Sequence, residues 1–319
     1  MNGVVIGLGF MGQTHLEAYS KMNSVKIVGV VDTHQQHAEK IAKRFGSEAF
    51  TSLKATYKKF DKVDFVDICL PSPFHRENAV YAMEQGSDVI IEKPMAVTLE
   101  DSEAIALKSK ETKRRVMVAH VCRFMPQYEY LKKVVEDEIL GKPLFFGAWR
   151  QSETPNWSKN NWLHDRDQSG GTIMDLSIHD IDIANWLLGK PEKYSYHEVS
   201  HPELSGCSHV VSGIQYENGA FASIEAGHLM PKGYPFLAGY RLVCEQGAVE
   251  WNTATGETGS VSVFTNGTSQ FVEMEPNGPV DSYYEELKHF VDRLESGKPF
   301  RVEIEDAMLA ISTVHNLAY

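Results

Sequence analysis

The chain predicts an α/β plus α+β protein: a doubly wound parallel sheet first, then an open, mostly antiparallel sheet with helices on one face. Three observations predict it. At 319 residues the chain exceeds what one hydrophobic core usually organises. Up to about residue 120, short apolar runs alternate with amphipathic stretches of helical period, the rhythm of βαβ units. After Pro126 that rhythm gives way to strand-like runs joined by turn signals such as Asn218-Gly219 and Asn266-Gly267. The natural division therefore separates 1–120 from 121–319.

The first-half strands are expected at Val4-Ile6, Val25-Val31, Val63-Leu70, Val89-Glu92 and Val116-Ala119, near-continuous apolar runs suited to burial on both faces. Helices are expected near Thr14-Lys21, Gln35-Phe45, Glu77-Glu84 and Glu100-Lys110. The second half begins with one helix, a strand at Leu144-Gln151 and an irregular stretch, followed by a helix at Thr172-Leu188. Strands then follow at Val210-Tyr216, Ala220-Leu229, Tyr240-Cys244, Ala248-Trp251, Val261-Phe264 and Gln270-Glu273. Two helices, Tyr283-Leu294 and Ile304-Leu317, flank Gly297-Lys298-Pro299, which stops one helix and resists its continuation.

Composition narrows the function. Acidic residues number 43 against 31 basic ones, a formal charge of -12 that opposes attraction to phosphate backbones, so no nucleic-acid partner is expected. No apolar run reaches bilayer-spanning length, and no membrane partner is expected either. Met1-Asn2-Gly3 lacks the basic segment of a secretory signal, which makes the cytoplasm the expected location. Cys69, Cys122, Cys207 and Cys244 form no C-x-x-C pair and read as reduced, packed thiols.

Gly7-Leu8-Gly9-Phe10-Met11-Gly12 fits G-x-G-x-x-G directly after a strand and before a helix, the context a dinucleotide loop requires. Gly7 permits the tight turn, Gly9 lets backbone amides approach a pyrophosphate, and Gly12 lets the helix pack with its N-terminus facing the anion. Asp32 closes the second strand, where a carboxylate accepts hydrogen bonds from the ribose hydroxyls and repels a 2′-phosphate. No lysine or arginine follows it until Lys40, so NAD is expected in preference to NADP.

Glu92-Lys93-Pro94 ends an apolar strand and puts Lys93 at the carboxyl edge of the sheet, where ligands of parallel sheets collect. Asp175 and His179 are four apart on one expected helix, so a carboxylate can orient an imidazole whose ordinary pKa of about 6.5 suits proton abstraction. That pair also has a purely structural reading, a helix bridge. Metal binding by Asp175, His179, Asp180 and Asp182 is disfavoured: the last two point to other helix faces and no thiolate assists, so no metal is expected.

Together with Pro71-Ser72-Pro73-Phe74-His75 and Gly170-Gly171, these motifs resemble the Gfo/Idh/MocA oxidoreductase family, which includes inositol dehydrogenases and glucose–fructose oxidoreductases. The resemblance implies an NAD(P)-binding Rossmann domain over 1–120 and a substrate and oligomerisation domain over 121–319, forming a homodimer or homotetramer. It implies a cis Lys93–Pro94 peptide, with Lys93 contacting the reacting hydroxyl and the nicotinamide region. His179 would be the general base, and Asp175 would support it and touch the substrate. Phe10, Met11, Pro71, Ser72, His75 and Glu92 would line the cofactor groove beside the glycines, and Arg123 would lie near the cleft. Trp162 belongs to the stretch Ser152-Ser169, which reads equally as a substrate wall or a solvated loop. The implied reaction is reversible oxidation of a secondary alcohol on a sugar or cyclic polyol by NAD. Two alternatives stay open: glycoside cleavage through transient oxidation with no net NADH, and a non-catalytic nucleotide-binding regulator.

Overall fold

The first half folds into the alternating strands and helices expected, with one further strand (Glu48–Phe50) and one further helix (Leu53–Lys59) between the second and third of the expected strands: β1 (Asn2–Ile6), α1 (Phe10–Tyr19), β2 (Lys26–Val31), α2 (Gln35–Phe45), β3 (Glu48–Phe50), α3 (Leu53–Lys59), β4 (Phe65–Ile68), α4 (His75–Glu84), β5 (Asp88–Glu92), α5 (Leu99–Thr112) and β6 (Val116–Ala119). The computed structural model describes residues 1–254, 260–274 and 279–319, and the side chains of all of these except 159 and 279–281. The six strands are parallel in the order β3-β2-β1-β4-β5-β6, the doubly wound arrangement of a dinucleotide-binding sheet. Its centre is largely apolar, with the buried Asp67 an exception: Val4, Val5, Val66, Ile68, Ile90, Ile91 and Val118 have no exposed surface. Local signals set the helix limits. Thr98 caps α5 by accepting from Asp101 N at 3.1 Å, and Gly46 ends α2 in the left-handed region at φ 68.

The second half contains α6 (Pro126–Glu136), β7 (Pro143–Glu153), the short α7 (Arg166–Ser169), α8 (Ile178–Leu188), β8 (Pro191–Ser200), β9 (Ser208–Tyr216), β10 (Phe221–Met230), β11 (Leu237–Cys244), β12 (Gly247–Asn252), β13 (Ser260–Thr265) and β14 (Thr268–Glu273). The eight strands run β14-β13-β12-β11-β7-β10-β9-β8, antiparallel at every step except β7 with β10. An aromatic cluster lies under this sheet, with Tyr128, Tyr240 and Trp251 at ring separations of 5.2–5.8 Å. The chain closes with α9 (Pro279–Ser296) and α10 (Ile304–Ala318).

Two units result, Met1–Val121 with Gly278–Met308, and Cys122–Asn277 with Leu309–Tyr319. The first break falls beside residue 120, but a plain division of the chain there assigns α9 to the second part, and α9 packs on the first. The reason is apolar: Leu287 and Phe290 are fully buried, and Phe290 meets Phe65 edge-on at 5.5 Å and stacks on Phe300 at 5.6 Å. Among the described residues no helix is long and apolar enough to cross a membrane.

The expected helix over Thr172-Leu188 is present, with a difference in its first turn. Residues Ile173–Ser177 form a π-helical turn before the α-helical hydrogen bonding of α8 begins. Such turns carry one residue more than an α-helical turn, and they recur at functional sites.

Candidate active site

In the first unit the glycine loop joins β1 to α1. Gly7 sits at φ +91, and a Cβ on it would lie 2.5 Å from Cys69 O; a Cβ on Gly12 would lie 1.9 Å from Gly7 O. Both glycines are therefore demanded by the packing of the loop itself. A Cβ on Gly9 would meet nothing within 4 Å. The packing of the chain does not itself demand glycine there, and that side of the loop, at the start of α1, is open. His37 Nε2 braces the loop from 2.9 Å at Leu8 O, and Phe10 is 77% exposed. Asp32 follows β2, and its Oδ1 accepts from His34 N at 2.8 Å, an arrangement that holds the carboxylate at the end of the strand.

Behind the loop lies a buried ionisable cluster that the sequence motifs do not announce. His15 of α1 puts Nδ1 2.8 Å from Asp67 Oδ2 and 3.4 Å from Cys69 Sγ, and its Nε2 is in ion-pair contact with Glu92 Oε1 at 3.2 Å. Glu286 of α9 is fully buried with neither carboxyl oxygen hydrogen-bonded. The ligand atoms of His15, Asp67 and Cys69 lie within 4.8 Å of one another, but carboxylates on both sides of the imidazole make this a proton-holding set. Burial alone would lower the His15 pKa; the Asp67 carboxylate and Cys69 outweigh it and hold the imidazole well above its usual range. Burial, reinforced by repulsion from Glu92, pushes the Glu286 carboxyl well above the usual carboxylate range.

Both shifts raise a folded-state pKa, so both have the same consequence. The stability they bring is fully present below each unfolded value, about 6.5 for imidazole and about 4.3 for carboxyl, and is lost as pH rises through the folded values. The Tm is expected to fall from mildly acidic to alkaline pH, and Glu286→Gln, which cannot titrate, should flatten that fall. Parallel Tm curves for the two proteins would remove the assignment.

Glu92 also turns back on its own loop, accepting from Lys93 N at 3.0 Å through Oε2. The Lys93–Pro94 peptide is cis. From Val89 to Ala96 every residue is buried except Lys93. The strand end thus presents one side chain to the outside, and it is an ammonium.

The second unit repeats this pattern. From Gly171 to Asp180 every residue is buried except Asp175 and His179. Two buried ion pairs set the rotation of α8 and hence the direction of His179. Arg150 grips Asp180 through Nε at 3.0 Å and Nη2 at 2.8 Å, and Arg123 grips Asp182 at 2.9 and 2.7 Å. Removing one partner of such a pair costs about 3–5 kcal/mol, because the other charge is left buried. His179 Nδ1 lies 3.8 Å from Cys122 Sγ. Asp175 Oδ2 lies 3.0 Å from His228 Nε2, a neighbour that the helix spacing could not reveal.

Several expected contacts change meaning here. His75 has no exposed surface; its Nδ1 lies 2.9 Å from Pro94 O and its Nε2 2.7 Å from Leu70 O, so it ties two loops together. Glu92, at 8% exposure, faces His15 for the same reason. Arg123, at 1% exposure, is engaged with Asp182. Ser72 is buried and Pro71 half-buried. Asp180 and Asp182, weighed above as metal ligands, are held by guanidinium groups. In the stretch Ser152-Ser169, Trp162 is half-buried and Trp157 is 63% exposed.

A doubly wound sheet, a glycine loop at its first turn and a lysine at a strand end define a nicotinamide-dinucleotide-dependent oxidoreductase. Sequence comparison agrees. A profile described as an oxidoreductase family with an NAD-binding Rossmann fold matches residues 1–120, and a GFO/IDH/MocA C-terminal domain profile matches residues 128–250. The chain belongs to the Gfo/Idh/MocA family. It is 28% identical to scyllo-inositol 2-dehydrogenase (NAD(+)) of Bacillus subtilis over 92% of this chain and 86% of that one. It is also 28% identical to an inositol 2-dehydrogenase/D-chiro-inositol 3-dehydrogenase of Halalkalibacterium halodurans, over 97% and 88% of the two chains. The fold matches levoglucosan dehydrogenase in complex with NADH and levoglucosan, at a TM-score of 0.90 and 23% identity over 99% and 96% of the two chains. An Agrobacterium radiobacter oxidoreductase solved with NAD+, L-tartaric acid and magnesium has a TM-score of 0.87 at 21% identity, over 99% and 95% of the two chains.

Proposed function

We propose that this enzyme reversibly oxidises a secondary alcohol of a cyclic polyol or sugar, with NAD in preference to NADP. The observation that carries the reading is the selective exposure of Lys93, Asp175 and His179 within motifs that are otherwise buried. His179 takes the hydroxyl proton, with Asp175 supporting it and touching the substrate. Lys93 donates a hydrogen bond to the oxygen as alkoxide charge develops there. NAD supplies the acceptor for the hydride that leaves the same carbon. Gly7, Gly9 and Gly12 shape the loop for the pyrophosphate, with Phe10 and Met11 beside it, and Asp32 receives the ribose hydroxyls. Trp162 forms part of the substrate wall. The inositol dehydrogenases among the relatives support a ring-hydroxyl substrate.

The same reading places the enzyme in the cytoplasm as a homodimer or homotetramer. Exposed apolar side chains on the strands of the large sheet, including Leu144, Phe221 and Phe264 at 41–50% exposure, support self-association.

The test is a panel of inositols, aldoses, sugar acids and nucleotide sugars assayed for NADH formation. At least one ring alcohol is expected to reduce NAD, with kcat/KM higher than with NADP. A clear preference for NADP would overturn the role of Asp32. Release of aglycone from aryl glycosides without accumulated NADH would replace net oxidation with glycoside cleavage.

A further inference from the structure

We propose that His228 is a positioning residue for Asp175, held by Ser152 in a buried chain that aims the Asp175 carboxyl and keeps it ionised for the reaction. The inference rests on the reading of Asp175 as an active-site carboxylate. All three residues belong to the second unit.

The geometry is a continuous line of hydrogen bonds. Ser152 Oγ lies 2.9 Å from His228 Nδ1, and His228 Nε2 lies 3.0 Å from Asp175 Oδ2. The side chain of His228 is 2% exposed and that of Asp175 18%, so the chain starts in the interior and ends at accessible surface. The backbone of His228 is pinned too, its carbonyl accepting from Thr154 Oγ1 at 2.9 Å.

Two departures from regular structure meet at this one contact. The parallel pairing of β10 with β7 runs Gly227 opposite Gln151 and then Met230 opposite Glu153, so β10 carries an extra residue where His228 lies. Bulges of this kind re-aim side chains. On the other side Asp175 sits in the π-helical turn that precedes α8. Beside them Leu176, Val210 and Ala226 form a small apolar cluster. Together the two irregularities bring an imidazole to a carboxylate.

Proton counting assigns the donor. An ionised carboxylate only accepts, so Nε2 carries a proton toward Asp175. The Ser152 hydroxyl has one proton and two neighbours, His228 Nδ1 and Glu153 O, each at 2.9 Å. If it serves His228, the imidazole is neutral; if it serves Glu153, the imidazole is charged. In either case the Asp175 carboxylate receives an N–H. Among the titratable groups near Asp175, besides His179 four residues on, is the Cys207 thiol; burial and the Asp175 charge push it up to about 11, so it stays protonated through neutral pH. Donation to the ionised form lowers a carboxyl pKa, and loss of the donor raises it.

The experiment measures kcat, KM and the pH profile of kcat/KM for the wild type and for His228→Ala, His228→Gln, Ser152→Ala and Asp175→Asn, with NAD affinity as the check on folding. His228→Ala is expected to lower kcat about tenfold or more, a fraction of the ~10²–10⁴ that a placed acid–base group supplies. Its acidic limb should move up by about one pH unit. His228→Gln should move the limb back, because its amide can still donate, and Ser152→Ala should shift it in the same direction as His228→Ala but less. Wild-type kcat and an unmoved limb in His228→Ala, with NAD affinity retained, overturn the proposal. Should His228→Ala fail to fold, an unmoved limb in both His228→Gln and Ser152→Ala overturns it equally. Near-normal turnover in Asp175→Asn is a separate result: it removes the active-site reading of Asp175, and the proposal falls with it.

Discussion

Lys93→Ala is expected to lower kcat by about 10²–10³, the usual cost of removing one preorganised donor to a developing oxyanion, while NAD affinity stays within about twofold. The separation of the two readouts follows from where the side chain starts. Lys93 is the single accessible residue in a buried strand end, and its backbone is already anchored by the hydrogen bond from its N–H to Glu92 Oε2. Truncating the side chain therefore leaves the loop's own contacts in place. Lys93→Arg is expected to rescue little, because a planar guanidinium spreads its charge and donors differently from a compact ammonium. Steady-state NADH formation gives kcat, and a direct binding titration gives the NAD affinity. Near-normal turnover in Lys93→Ala would remove the lysine from the chemistry; lost NAD affinity with a matching loss of rate would make it a cofactor ligand only.

The doubly wound sheet is legible in the sequence because strands buried on both faces carry their signal locally. Val4-Ile6, Val63-Leu70 and Val89-Glu92 are near-continuous apolar runs whatever their neighbours. The pair β3 and α3 escapes this logic: Glu48–Phe50 is short and only partly buried, and α3 buries just Leu53 and Thr56 among its lysines. β8 escapes it as well. It is the edge strand, only Pro191 within it is buried, and charged residues such as Glu192, Lys193 and Glu198 suit a strand with one side unpaired. The α9 segment reads correctly as a helix, but its attachment to the first unit depends on Phe65 and Phe290 meeting across a long sequence separation.

The candidate site divides along the same line. Glycine spacing, Lys93 before a proline and Asp175 with His179 are chemical patterns within a few residues. Burial is invisible at that range, so the ties that His75 makes to Pro94 O and Arg123 to Asp182 do not show in it. His228 and Glu286 are missed because nothing in the local sequence relates residue 228 to 175, or 286 to 15 and 92. The one available hint is that a histidine at 228 follows Ala226-Gly227 within an otherwise regular strand pattern, and a glycine inside a strand often marks a bulge.

Gly9→Ala and Gly12→Ala are expected to fail in different ways, and the difference tests whether the loop is shaped by a ligand. At Gly12 the added Cβ would stand 1.9 Å from Gly7 O, well inside any real contact, and the obstruction is backbone that cannot rotate away. Helix α1 must then move off the loop by about 1 Å or more, a displacement that typically costs about 10²-fold in a positioned site. Forcing an extra methyl into packed structure adds a loss of stability of about 1–3 kcal/mol. Gly12→Ala should accordingly weaken NAD binding and lower the Tm together. At Gly9 the Cβ meets no protein atom within 4 Å and the backbone, at φ -71, is outside the left-handed region that favours glycine. Gly9→Ala should leave the Tm unchanged and still weaken NAD binding, because the methyl would occupy space that a pyrophosphate needs at the amides of α1. Calorimetric titration of NAD beside thermal melts of both variants decides the matter. Undiminished NAD affinity in Gly9→Ala would mean that the open side of this loop faces solvent, and the dinucleotide would have to bind elsewhere.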